Sequence, residues 1–378
     1  MDIVYSPAQV FEGVWTLAIL AFFVSLVLSP FVRWIAYRKG IVDRPDALLK
    51  PHERPIAYLG GLAVCGGFLT AMIVRYSQRP GLWPLVVPVL IGVVIITVTG
   101  LLDDLRDLKP RHKVLGQLLA AGVLLVGLAS RDIHISAAHM VLSPIGFSDV
   151  PVWVSWIVSG AMTAVIVVAA CNAVNLLDGL DGLCGGVTGI IAIGFMALTA
   201  YLACWGHFAD EGTDKMRVVI CLCMAGAVLG FLPYNIPPAS IFLGDAGSML
   251  LGFFVATMMM LFAREGHARW ILAACVIFGL PIVDTGLAVV RRALSGKSLF
   301  AGDRSHLYDQ LVDRGMSVRK VVGLFYLLAV LAAVVGVLQA IFLRIRYAIV
   351  LDGIIVVVIA AVFLWKRMIL PSPRAPKS

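Results

Sequence analysis

Charge is sparse in this chain. Only 14% of its 378 residues are Asp, Glu, Lys or Arg, while 61% are hydrophobic. A soluble domain carries about 25% charged residues. The deficit excludes a disordered chain, a nucleic-acid-binding domain and a small secreted scaffold. Cysteine is present seven times, but no Cys-x-x-Cys spacing occurs. No zinc site is therefore expected, and the thiols read as small buried hydrophobes. There is no internal repeat and no low-complexity tract. No Lys or Arg precedes the first apolar run, whereas Asp2 and Glu12 do, so the basic segment of a cleavable leader is missing. The net charge of +8 points to anionic headgroups or an anionic substrate rather than to nucleic acid.

What is abundant is long apolar runs. They cover residues 13–35, 56–75, 82–102, 114–130, 151–173, 184–204, 217–234, 248–263, 270–290, 320–343 and 345–365. A bilayer core of about 30 Å takes about 20 helical residues. The runs are continuous rather than alternating, which favours helices over a barrel. The expectation is an all-α, polytopic integral membrane protein of about eleven transmembrane helices. Residues 1–370 read as a single transmembrane domain and 371–378 as a disordered tail. The last two runs are so close that their division is open.

Lys and Arg set the orientation. With the N-terminus outside, more than two thirds of the 30 Lys and Arg fall in inner connections, and the C-terminus is cytoplasmic. Arg344 and Arg346 run against this pattern.

The inner connections are also where Asp, Asn, Gly and His collect. Asp103 and Asp104 end the third run, followed by Lys113. Adjacent carboxylates raise each other's pKa unless a cation or metal intervenes. Mg²⁺ takes a few carboxylates and leaves room for phosphate oxygens. The plainer reading is an acidic helix end that solvates. Next, Asn172, Asn175, Asp178 and Asp181 step by three. On a helix they form one polar stripe, while Gly179 and Gly182 would instead loosen the backbone. Polar glue between helices is the structural alternative. In the third connection Pro237 and Pro238 break the helix after Asn235, and Phe242 precedes a Gly-Asp-x-Gly-Ser start at Gly244–Ser248. Free N–H groups there suit an anion, or Asp245 is simply an N-cap. The fourth connection, Arg291 to Lys320, holds Asp303, Arg304, His306, Tyr308 and Asp309. Arg and His can grip a diphosphate, and a basic inner loop also serves as a topology determinant. Lys50 and His52, between Asp43 and Gly61, are further phosphate or base candidates.

Taken in order, these motifs resemble the polyprenyl-phosphate N-acetylhexosamine-1-phosphate transferase family (glycosyltransferase 4 type). The resemblance runs from about Asp43 to Gly315. It is closest to the undecaprenyl-phosphate GlcNAc-1-phosphate transferase branch, which starts cell-envelope polysaccharide or teichoic-acid synthesis. It is weaker to the muramoyl-pentapeptide transferases, whose consecutive histidines are missing. The family pattern His-x-His-His is reduced here to His306, with Leu307, Tyr308 and Asp309 following.

The resemblance implies transfer of GlcNAc-1-phosphate from a UDP-N-acetylhexosamine to undecaprenyl or another polyprenyl phosphate, with Mg²⁺ or Mn²⁺ and release of UMP. It implies a bacterial inner membrane location with the active site facing the cytoplasm. It also implies Asp245 as principal metal ligand with Asp178, Asp103 as base with Asp104 beside it, and Lys113 balancing the carboxylates. Asn175 and Asn172 would line the site. Asp181 and Phe242 would hold the uracil, Asn235 and Lys50 would complete the nucleotide pocket, and Arg304 and His306 would meet the sugar or diphosphate. A transporter is the main rival class, but its polar sites lie near the midplane. CDP-alcohol phosphatidyltransferases also cluster aspartates, yet their Asp-Gly-x-x-Ala-Arg pattern is absent. Sequence leaves the oligomer open between monomer and homodimer.

Overall fold

The computed structural model describes residues 6–43, 55–77, 79–147, 149–205, 211–263, 268–294 and 306–365. Lys50, His52, Asp303, Arg304 and the tail after 370 lie outside the described residues. The chain opens with a short helix α1 (Pro7–Phe11), then α2 (Trp15–Lys39), the paired strands β1 (Val42–Asp43) and β2 (Ile56–Ala57), α3 (Gly60–Tyr76), α4 (Trp83–Arg106), α5 (Pro110–Ala129) and α6 (Ile133–Leu142). It continues through α7 (Val152–Leu177), α8 (Leu183–Trp205), α9 (Glu211–Asn235), α10 (Gly244–Phe262), α11 (Ala268–Ile277) and α12 (Gly279–Leu294). It closes with α13 (Leu307–Asp313), α14 (Val318–Phe342) and α15 (Ile345–Trp365). Helix dominates because only internal hydrogen bonding satisfies a backbone surrounded by hydrocarbon.

Among the described residues nine helices are long and apolar enough to cross a bilayer: α2, α4, α5, α7, α8, α9, α10, α14 and α15. The expected run 270–290 is a bent pair. Helices α11 and α12 meet at 75° and make a tenth crossing if counted as one span. Pro281 accounts for the break, because it has no N–H to offer the Ile277 carbonyl one turn back. The run 56–75 opens as strand, and its helix α3 has 17 residues, about 25 Å at 1.5 Å per residue. It is therefore shorter than the expectation allowed. The runs after 320 do divide in two, at Leu343, which is extended (φ −103°, ψ 137°).

Helix α10 is the hub. Nearly all of its side chains are buried, and it packs against α3, α4 and α7. A helix that is apolar on every side belongs inside a bundle. Two glycines allow the closest approach at its first turn. A Cβ on Gly61 would fall 2.1 Å from the Gly247 nitrogen, and one on Gly100 would fall 2.4 Å from the Asp245 carbonyl oxygen. The first turn of α10 is thus clamped between α3 and α4.

The strands serve the same end. β1 and β2 pair antiparallel, Val42 with Ala57 and Asp43 with Ile56, and Ala57 bridges Ile241 in parallel. Phe242 donates its N–H to the Ala57 carbonyl at 2.8 Å, and Gly61 donates to the Leu243 carbonyl at 2.8 Å. The segment leading into α10 is therefore laced to the start of α3. At this end of the bundle the C-terminal ends of α4, α7 and α9 meet the N-terminal ends of α5, α10 and α14.

Candidate active site

Asp103 and Asp104 are adjacent, and a helix turns about 100° between them. Their carboxylates consequently go to different partners. Asp103 accepts the Leu108 N–H at 2.8 Å and pairs with the Lys113 ammonium. Asp104 reaches α10, where it accepts the N–H groups of Asp245 at 2.8 Å and Ala246 at 3.0 Å. It supplies the N-terminal cap of α10 from another helix. The residue at the N-cap position itself, Leu243, makes no side-chain cap bond. Asp245 is therefore not the N-cap that the sequence allowed. It lies in the first turn, held by a neighbouring carboxylate in the field of the helix N-terminus.

Lys113, near the start of α5, joins the two acidic helix ends. Its ammonium donates to Asp245 Oδ2 at 2.7 Å while it pairs with Asp103. The other Asp245 oxygen accepts from Asn175 Nδ2 at 2.8 Å, and that amide also donates to Ser248 Oγ at 2.9 Å. Helices α4, α5, α7 and α10 are thus tied at Asp245 by charge-assisted hydrogen bonds.

The expected polar stripe is split. Helix α7 ends at Leu177, so Asn172 and Asn175 are helical and Asp178 and Asp181 lie in the turn that follows. Asn172 looks into the bundle, donating to Gln117 Oε1 at 3.1 Å and to the Val168 carbonyl at 2.7 Å. Asp181 accepts the Ala239 N–H at 2.9 Å. Asn235 accepts from the Gly182 N–H and donates to the Ile241 carbonyl, both at 3.0 Å. Gly182 adopts φ 75°, a conformation that favours glycine, so the glycine loosening that the sequence offered as an alternative is realised here.

A cavity of about 720 Å³ opens between these turns. Its lining includes Asp104, Asp178, Asp181, Asn235, Phe242 and Asp245. Those six candidates, drawn from α4, α7, α9 and α10 and the turns beside them, are brought together. Lys113, Asn175 and Asp103 hold Asp245 from behind, and Asn172 lies deeper in the helices. His306 is buried beside Tyr308 and is not part of the lining.

The cavity also takes residues that the sequence did not single out. Asp43 ends β1, Tyr58 follows β2, and Arg319 comes from the first turn of α14. The Tyr58 hydroxyl is hydrogen-bonded to Asp43, and its ring lies 6.1 Å from Phe242. Burial and the neighbouring Asp43 push the Tyr58 phenol above its ordinary value. Arg319 donates to the Pro237 carbonyl from Nε at 3.3 Å and Nη2 at 3.2 Å. In the sequence its charge is indistinguishable from a topology signal.

Among the described lining residues the carboxylates outnumber the cations. Burial, then Asp245, Asp104 and Asp181 as like charges, holds the Asp178 carboxyl well above the usual carboxylate range. Among the described residues no three Asp, Glu, His or Cys side chains form a ready metal cage. Mg²⁺ seldom uses one. It takes one or two carboxylates together with water and substrate phosphates, and Asp178 with Asp245 is a donor set of that kind. Hard oxygen donors crowded by like charge fit a divalent cation.

The family described as Glycosyl transferase family 4 matches residues 86–263, a stretch that holds Asp103, Asp104, Asp178 and Asp245. The chain is 33% identical to decaprenyl-phosphate N-acetylglucosaminephosphotransferase of Mycobacterium tuberculosis (strain CDC 1551 / Oshkosh), over 82% of this chain and 78% of the relative. It is 29% identical to the probable undecaprenyl-phosphate N-acetylglucosaminyl 1-phosphate transferase of Bacillus subtilis (strain 168), covering 82% and 81%. It is also 29% identical to undecaprenyl-phosphate alpha-N-acetylglucosaminyl 1-phosphate transferase of Escherichia coli (strain K12), covering 82% and 79%. With its acidic helix ends gathered on one cavity, this multi-span membrane protein belongs to glycosyl transferase family 4.

Proposed function

We propose that the protein transfers N-acetylglucosamine-1-phosphate from UDP-N-acetylglucosamine to a polyprenyl phosphate in a bacterial inner membrane and releases UMP. One observation carries the reading: Asp104, Asp178 and Asp245, from three separate helix ends, converge on a single cavity at one end of a membrane bundle. Such a cavity can admit a water-soluble nucleotide sugar and a lipid phosphate at the same membrane face. The distribution of Lys and Arg supports placing that face in the cytoplasm.

The parts fit phosphoryl transfer, which needs positioning and charge neutralisation more than covalent help. Asp178 and Asp245 would hold Mg²⁺, which when bound neutralises the donor diphosphate against the surrounding carboxylates. Lys113 aims Asp245 through their ion pair. Asp104 fixes the α10 turn on which Asp245 stands. Asp181, Phe242 and Asn235 shape the wall beside the Pro237–Ala239 turn, where the nucleoside would lie. The acceptor phosphate has a second pKa of about 6, so at neutral pH it can attack the sugar-linked phosphorus without a strong base.

The test is purified protein with polyprenyl phosphate, Mg²⁺ and a panel of UDP-sugars, scored for UMP. UDP-N-acetylglucosamine is expected to give UMP and the lipid diphospho-sugar. No UMP from any UDP-N-acetylhexosamine overturns the proposal. Asp245→Asn is expected to abolish turnover while leaving the fold intact.

A further inference from the structure

Asp284 is a carboxylate inside α12 that the mechanism above does not use. It is 1% exposed, and an ionisable group at such a place asks for a function. Both of its oxygens converge on the start of α13. Oδ2 lies 2.8 Å from His306 Nδ1, and Oδ1 accepts the Leu307 N–H at 2.7 Å. A carboxylate facing an imidazole nitrogen places the proton on that nitrogen, so Asp284 fixes both the tautomer and the plane of the ring. The ring then fixes its neighbour. His306 stacks on Tyr308 with centroids 5.4 Å apart and planes 6° apart.

Tyr308 carries the constraint to the reaction cavity. Its hydroxyl donates to the Leu176 carbonyl at 2.9 Å, two residues before Asp178. It also presses on Gly179, where a Cβ would fall 2.2 Å from the Tyr308 oxygen. Glycine at 179 is what lets the phenol approach the backbone next to Asp178. Burial, with Asp309 and Asp284 nearby, pushes the Tyr308 phenol up, so it stays a neutral donor. On the far side of the same turn Tyr326 donates to the Gly182 carbonyl at 2.6 Å. The segment holding Asp178 and Asp181 is therefore braced at both ends, and one brace is rooted in Asp284.

We infer that Asp284 is a positioning residue for the transfer reaction, acting through His306 and Tyr308 on the turn that carries Asp178. The inference rests on the proposed transferase reading. In it His306 serves as a strut behind the cavity.

The experiment compares Asp284→Asn, His306→Ala and the double variant with wild-type enzyme in the UMP-release assay, with kcat and KM measured separately and the melting temperature of each. Asn keeps the shape and the acceptor for the Leu307 N–H, but its amide N–H₂ faces His306 Nδ1 and demands the other tautomer. The expected result is a loss of roughly 10- to 100-fold in kcat, the scale of a displaced catalytic group, with KM changed far less. The double variant is expected to be no slower than His306→Ala alone, because both changes cut one chain of contacts. Wild-type kcat in Asp284→Asn, or losses that multiply in the double variant, overturns the inference. Should Asp284→Asn lower the melting temperature, Tyr308→Phe decides. It removes one oxygen, is expected to show the same kcat loss, and overturns the inference if its kcat is that of wild type. Wild-type protein that releases no UMP overturns the transferase reading instead.

Discussion

Asp104 on α4 accepts the backbone N–H of Asp245 on α10 at 2.8 Å and that of Ala246 at 3.0 Å. One carboxylate thus caps the helix on which the next carboxylate stands. This accounts for two acidic residues side by side at the end of α4: one caps a foreign helix and the other anchors a lysine.

The cap has a measurable weight. Replacing a helix-capping acceptor by alanine costs about 1–2 kcal/mol, so Asp104→Ala is expected to lower the melting temperature of the detergent-purified protein as well as its kcat. Asp104→Asn keeps one acceptor oxygen and is expected to recover part of the stability without recovering turnover. Equal melting temperatures for wild type and Asp104→Ala would remove the capping role.

Lys113 separates function from fold in another way. Its ammonium stands between Asp103 and Asp245. In Lys113→Met those carboxylates face each other without a cation, and two like charges about 4 Å apart repel by about 4 kcal/mol at an effective dielectric constant of 20. The expected outcome is at least about a 100-fold loss in kcat. Lys113→Arg should regain part of it, since a guanidinium can reach both partners. Undiminished kcat in Lys113→Met would show that Asp245 is held by Asn175 alone.

Asp178 gives a prediction with a definite sign. Its carboxyl is held above its ordinary value by burial and by Asp245, Asp104 and Asp181. Between the unfolded value, about 3.9, and the raised folded value, the native protein binds more protons than the unfolded chain. Stability without divalent cation therefore falls as pH rises through that window and stays reduced above it. In EDTA, Asp178→Asn should melt at a higher temperature than wild type at pH 7, and the gap should narrow on acidification. A gap independent of pH would mean that the ionised carboxylate carries no penalty.

Much of this architecture was legible because a bilayer leaves the sequence few options. Runs of apolar residues became helices, and several of the acids at their ends line one cavity. What escaped was set by single backbone events. Nothing in the composition of 270–290 announces a 75° bend, although Pro281 could have been read as its cause. The step of three from Asn172 to Asp181 left open one helical face or a glycine-loosened turn, and only the structure decides: α7 stops at Leu177 and the turn beyond it re-aims both aspartates. Asp43, Tyr58 and Arg319 escaped because the cavity recruits them across long sequence separations. Asp284 did leave a signal, as a carboxylate within an apolar run, and it passed as part of a span.

The last prediction concerns the order of bond making. A two-step path would need Asp103 or Asp104 to attack the sugar-linked phosphorus, expel UMP and carry the sugar phosphate as an aspartyl phosphate, a mixed anhydride. Both oxygens of Asp104 accept N–H groups of α10, and those of Asp103 serve Leu108 and Lys113. A nucleophilic attack from either would strip the α10 cap or release Lys113 at the moment when charge is greatest. The lipid phosphate bears no such cost, so the geometry favours its direct attack with UMP as leaving group. Enzyme incubated with UDP-sugar labelled in the sugar-linked phosphate, without lipid, is expected to retain no covalent label after denaturation and to release UMP only when polyprenyl phosphate is added. A stoichiometric, acid-stable and hydroxylamine-sensitive phospho-enzyme formed without lipid would establish the two-step path.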